Sequence, residues 1–100
     1  MDADGCWDVV IATPLGTKRV TVDISGSASG SLRGCASAEG ETIEFSPTAN
    51  GDRLSWSQAI AKPIRATVFF EVTVTGDTLS GTAKPGGLPS SRVTGSRRRP

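Results

Sequence analysis

The sequence predicts an all-β domain: an eight-stranded antiparallel barrel with little or no helix. Three observations lead there. Apolar residues recur at every second position along nearly the whole chain, the spacing of a strand with one buried face. Short turns rich in Gly, Asn, Asp and Pro separate these segments, and such residues take the backbone angles that tight turns need. Twelve Gly, twelve Ser, eleven Thr and eight Val among 100 residues favour strands and turns over helices. The segment nearest a helical period, residues 57–66, is cut by Pro63.

The alternation can be followed element by element. Trp7, Val9 and Ile11 share one face, with Asp8, Val10 and Ala12 on the other. Residues 14–17 turn the chain into Val20, Val22 and Ile24, which alternate with Arg19, Thr21 and Asp23. A Gly/Ser stretch from Ser25 to Gly30 makes the next turn, and Leu32, Gly34 and Ala36 follow opposite Arg33 and Cys35. Ile43 and Phe45 form a fourth strand. Asn50-Gly51-Asp52 then signals a hairpin, since these residues accept positive φ. Leu54, Trp56, Gln58 and Ile60 face inward next, and Lys62-Pro63 interrupts because proline cannot donate to a ladder. The longest strand places Ala66, Val68, Phe70, Val72 and Val74 inside, with Thr67, Phe69, Glu71 and Thr73 outside. Gly76-Asp77 turns into Leu79, Gly81 and Ala83; residues 85–89 read as a mobile loop; residues 92–96 make the last strand.

An internal echo supports this register. Residues 51–55 and 76–80 share G-D-x-L-S, and residues 30–34 are a looser third copy. The repeat is the length of one hairpin, so it reports repeated hairpins and not a solenoid. Gly34, Gly81 and Gly95 fall where strongly bent strands pass close to their neighbours. Eight such strands can stack as a sandwich or close as a barrel. Closure removes both exposed edges, which favours the barrel, and eight strands leave room for side chains or one small ligand.

Charge and absences narrow the chemistry. The chain has 11 Lys+Arg against 10 Asp+Glu, but Arg97, Arg98 and Arg99 are three of the positives, so residues 1–96 carry a net −2. Phosphate binding needs clustered cations, so the body has no nucleic-acid or anionic-membrane character, and Arg98 and Arg99 read as loose charge. The chain has no His and no Tyr. Triad hydrolysis, a His shuttle and His-ligated metal sites are therefore excluded. Two Cys cannot make a four-thiolate cage. Cys6 and Cys35 face outward on strands that are not neighbours, which predicts free thiols. The acidic start lacks an apolar leader and no run reaches membrane-spanning length. These features imply a cytoplasmic protein that acts as a monomer or weak homodimer.

Gly5-Cys6-Trp7 at the head of the first strand resembles the G-x-W signature of lipocalins and the wider calycin group. Those barrels have eight up-and-down strands, and an Arg near the end of the last strand crosses over the signature Trp. Arg97 stands in that position, in Thr94-Gly95-Ser96-Arg97. The fuller pattern resembles short bacterial lipocalin-like proteins: G-x-W-D, T-P-x-G, G-D-x-L-S-W, K-P before the long strand, G-D-x-L-S-G and a final T-G-x-R. The resemblance spans the chain, with a barrel over residues 1–97 and a basic tail at 98–100. It implies that Trp7 plugs the closed end and that Arg97 clamps it. The T-D-Y signature is absent and the chain is short, so the implied barrel is shallow and its cavity small.

Parity and the resemblance together select the candidate residues. Trp56 faces inward with Phe45 and Phe70 on neighbouring strands, where it either fills the core or walls a pocket. Gln58 sits on the same face two residues on, in a pocket or at the open rim. A buried amide needs a partner, and Val68 and Val72 complete the wall. Lys18 has inward parity at a strand end, from which it snorkels to the rim. Glu71 is the carboxylate most embedded in apolar sequence. Parity places it outside, but a single bulge would turn it inward as a general acid or base; Glu44 is a weaker case. Two functions follow. One is binding of a small hydrophobic or aromatic molecule inside the barrel. The alternative is a cofactor-independent cyclase or isomerase of natural-product biosynthesis, a pericyclic-type ring closure that needs only a shaped cavity. A filled barrel acting as an accessory domain is the plainest reading. None of the three calls for a metal or cofactor.

Overall fold

The period-two segments become strands in the computed structural model, which describes residues 3–13, 16–26, 30–38, 40–60, 66–86 and 89–98. In chain order these are β1 (Gly5–Thr13), β2 (Gly16–Ser25), β3 (Arg33–Ala38), β4 (Glu41–Phe45), β5 (Thr48–Asn50), β6 (Arg53–Ile60), β7 (Ala66–Thr75), β8 (Thr78–Pro85) and β9 (Ser91–Arg97). All pairings are antiparallel, in one curled sheet of order β4-β3-β2-β1-β9-β8-β7-β6-β5. Among the described residues there is no helix, so none is long and apolar enough to cross a membrane.

Two expectations change. There are nine strands, not eight, because Ser46-Pro47 divides one segment into β4, which pairs with β3, and β5, which pairs with β6. Proline brings no N–H to a ladder, so the chain changes partner there. The ring of hydrogen bonds is also not closed among the described residues: the ladder joins β9 to β1, but β4 and β5 remain its two ends. The first and last strands therefore lie at the centre of the sheet, and the open seam falls in mid-chain. A smaller difference is that Pro85 ends β8 opposite Val68, and the Gly86 amide donates to the Thr67 carbonyl at 3.2 Å. The turn at Pro14, the Lys62-Pro63 interruption and residues 87–88 of the expected mobile loop lie outside the described residues.

The inner face is the one that parity selects. Trp7, Val9, Val22, Ile24, Phe45, Leu54, Val68, Val72, Val74, Leu79, Ala83 and Val93 are buried together with Ala3. Ile11, Val20, Leu32, Ala36, Trp56 and Phe70 pack against them while partly exposed. Phe69 has outward parity and is 49% exposed.

The two G-D-x-L-S copies form equivalent hairpin tips. Gly51-Asp52 joins Asn50 to its partner Arg53, and Gly76-Asp77 joins Thr75 to Thr78. The glycines have φ of 65° and 60°, the left-handed region that a tight hairpin demands and glycine supplies without strain. The Leu of each copy, Leu54 or Leu79, is buried. In each copy the Asp carbonyl also accepts a hydrogen bond from the next strand of the meander. Val74 N donates to Asp52 O and Arg97 N to Asp77 O, both at 2.8 Å. The sequence echo is thus a tip that also pins the strand beyond it.

Gly81 and Gly34 are close-approach glycines. A Cβ at Gly81 would land on the backbone carbonyl of Glu71, and one at Gly34 on the Phe45 ring. Backbone cannot move aside as a flexible side chain can, so Gly81→Ala should destabilise the fold by about 3 kcal/mol. Gly86→Ala, with nothing within 4 Å of the new methyl, should stay within about 0.5 kcal/mol of the parent. Urea unfolding followed by Trp fluorescence measures both. Equal midpoints for the two variants would refute the close approach.

Candidate functional site

The candidate residues fall into two groups at different places in the sheet. The first is the clamp. Trp7 is fully buried and its indole Nε1 donates to the Ala3 carbonyl at 2.9 Å. Arg97 is the direct cross-strand partner of Trp7, so both point to the inner face, and its guanidinium lies 4.5 Å from the Trp7 ring centroid. Such a cation–π contact contributes about 0.5–2 kcal/mol. The same guanidinium donates through Nη1 to the Asp4 carbonyl, through Nη2 to the Gly76 carbonyl at 3.2 Å and through Nε to Asp77 Oδ1 at 3.0 Å. One side chain therefore ties the chain's start, the β7–β8 tip and the end of β9 together.

The clamp also explains the glycine two residues before Trp7. Gly5 has φ of 132°, and a Cβ there would sit 3.3 Å from Arg97 Nη1. Arg98, expected as loose charge, is bound as well. Its amide donates to the Cys6 carbonyl at 2.7 Å, extending the β1–β9 ladder, and its guanidinium makes a two-pronged pair with the Asp8 carboxylate. Arg99 lies outside the described residues.

The second group is the pocket set. Phe45, Trp56 and Phe70 form one stack: Phe45 to Trp56 at 4.6 Å between centroids and 16° between planes, Trp56 to Phe70 at 5.1 Å and 11°. Trp56 and Phe70 are direct cross-strand partners. Phe45 comes from β4, across the seam that no ladder joins, and its ring beds against Gly34 on β3. The stack thus spans the open seam with side chains where backbone hydrogen bonds are missing. Phe45 is buried, while Trp56 and Phe70 are half-buried. Gln58 is half-buried on the same face beside Val68, and Val72 lies two positions beyond Phe70 on the core side.

One feature of Trp56 lies beyond sequence reasoning. Its Nε1 is shielded from solvent and has no hydrogen-bond partner. With a phenyl ring stacked on either side, its faces are taken, so Trp56 is the middle layer of a slab and not an open wall.

The remaining candidates do not join either group. Glu71 stays outside: the β6–β7 and β7–β8 registers run on without a bulge, and Glu71 pairs with Arg53 at 4.0 Å while its side chain is 47% exposed. An exposed carboxylate on the outer face cannot serve a reaction inside the sheet. Glu44 and Lys18 are likewise exposed. Cys6 and Cys35 are free thiols separated by β2, both lateral neighbours of Asp23. Two strand spacings exceed the reach of a disulfide. Burial pushes the Cys6 thiol pKa up, and its hydrogen bond to the Asp23 carboxylate adds to the shift. Among the described residues no group of three or more Cys, Asp or Glu is placed to hold a metal ion. Compared with protein-family models, curated proteins and solved structures, the chain matches none of them.

The clamp has a measurable pH signature. The hydrogen bond and charge of Arg98 hold the exposed Asp8 carboxyl below the usual carboxylate range. A carboxyl lowered on folding contributes stability above its unfolded value, and that contribution is lost as pH falls through the folded one. Between about pH 4 and pH 2 the parent should lose stability more steeply than Asp8→Asn, read as urea midpoint against pH. Parallel curves would show that the pair contributes nothing in solution.

Proposed function

We propose that this chain is a small lipocalin-like barrel domain that binds a small apolar or aromatic molecule against the Phe45–Trp56–Phe70 stack. The observation that carries this reading is a three-ring slab, two of whose rings, Trp56 and Phe70, stay half-buried where the sheet's two ends fail to join. Burial of apolar surface returns about 25 cal/mol per Å², so the ring surface left wet is stabilisation that the fold does not use. A fold that only needed filling could have covered Trp56 and Phe70 as fully as it covers Trp7. The rings are also already ordered by each other and by Gly34, so little freedom remains to be lost when a flat molecule settles on them.

Two further features support the same placement. The inner face around the stack is apolar apart from Gln58, so a ligand meets Val68, Val72 and ring surface with one amide available for orientation. The Trp7–Arg97 contact and the Gly5 conformation fit the G-x-W and final-Arg roles of a lipocalin-like barrel, in which ligands occupy the interior away from that closed end. Glu71 stands on the outer face, paired with Arg53, and takes no part in this site.

The test is native mass spectrometry with Trp fluorescence titration against naphthalene- and indole-sized compounds. A 1:1 complex with quenching that saturates at roughly tens of micromolar is expected, from about 0.6 kcal/mol per heavy atom over about ten atoms, within the range small ligands reach. Trp56→Ala should abolish it. A folded parent that gives no saturable signal with any compound would overturn the proposal.

A further inference from the structure

Resting on that reading of the site, we propose that its ligand is a flat, conjugated molecule carrying a neutral hydrogen-bond acceptor, of the ketone or quinone class, and that Trp56 Nε1–H is the donor that selects it. An indole has one N–H donor and no acceptor. The rings of Phe45 and Phe70 lie on the two faces of Trp56, so a ligand can address this residue only along its edge. On that edge sits a donor without a partner, closed to water by the protein's own atoms, so an acceptor reaches it only where the rings at the seam part.

The chain contains its own control. Trp7 is also buried, and its Nε1 is satisfied by the Ala3 carbonyl at 2.9 Å. A native interior pairs nearly all its buried donors, and phenylalanine at position 56 would complete a three-ring stack without burying an N–H. The unmatched donor is therefore a feature with a cost and no structural return, and an arriving acceptor would remove the cost.

The acceptor's charge follows from the surroundings. Among the described residues, inward positions of the strands beside the stack carry Leu54, Gln58, Val68, Val72, Leu79 and Ala83, and no cation. A carboxylate placed there would lose its hydration with no opposite charge to replace it. A neutral carbonyl needs only the indole N–H, and the Gln58 amide is on the same face for a second polar group.

Three probes of similar shape separate the possibilities: acetylnaphthalene, ethylnaphthalene and naphthoate. Heteronuclear NMR follows the two indole N–H resonances, with Trp56 assigned by its loss in Trp56→Phe. The ketone should bind about tenfold more tightly than the ethyl compound, the effect of one good hydrogen bond. It should move the Trp56 N–H downfield while that of Trp7 stays in place, and naphthoate should bind most weakly. In Trp56→Phe, which keeps the stack, the ketone and ethyl affinities should converge. Equal affinities in the parent with an unmoved Trp56 N–H would overturn the donor assignment and leave the binding site standing. Naphthoate binding more tightly than the ketone would overturn the neutral-acceptor requirement. A folded parent that binds none of the three would overturn both this inference and the function on which it rests.

Discussion

Everything else in this fold depends on how the two ends of the chain are held together. β1 and β9 are neighbours at the centre of the sheet, so joining them closes a loop of nearly the full chain length, the most entropically demanding contact in the molecule. The Arg97 guanidinium meets that demand with an unusual concentration of interactions. It covers the face of a fully buried Trp7 and donates to the carbonyls of Asp4 and Gly76 and to the Asp77 carboxylate. The ion pair is half exposed on its Asp77 side and contributes little alone. Its neighbours give it value: the indole covers the guanidinium from one side, and the carbonyls of Asp4 and Gly76 accept from it on the other.

Placing the closure at the termini puts the weak point of the sheet in mid-chain. β4 and β5 are consecutive in sequence yet stand at opposite ends of the ladder, separated by Ser46-Pro47. Exposed strand edges invite pairing with other chains, and two features of these edges oppose it. β4 presents exposed Glu41 and Glu44, and β5 is only three residues long. Between β4 and β6 the Phe45–Trp56 contact replaces the missing ladder. Ring contacts are less directional than hydrogen bonds and can slide or part at lower cost, so the seam is the part of the sheet best able to admit another molecule.

Much of this was legible beforehand because strand periodicity is a local property. Parity alone separates Trp7, Val9, Val22, Leu54 and Val72 from Asp8, Thr21, Ser55 and Glu71, and the structure keeps that division. The G-D-x-L-S echo was readable as hairpins because positive φ at Gly51 and Gly76 is a requirement of the turn itself. The double role of Asp77, carbonyl to the Arg97 amide and carboxylate to its side chain, was not readable, since it depends on a residue 20 positions away. The same limit applies to Arg98: three consecutive arginines look like one solvated block until the register sets one over Trp7 and the next beside Asp8.

The sequence by itself determined which side chains face inward, where the hairpins turn, and which chemistry is impossible for a chain with no His and no Tyr. Those follow from alternation, turn stereochemistry and composition, none of which needs a distant partner. Only the tertiary structure decided that the hydrogen-bonded ring stays open between β4 and β5, that a stack of three rings spans the opening, and that Trp56 retains an unpaired N–H within it. Each of those depends on how far the sheet curls before its ends meet. Curl is the sum of small twists over every strand pair, and no single segment of sequence encodes that sum.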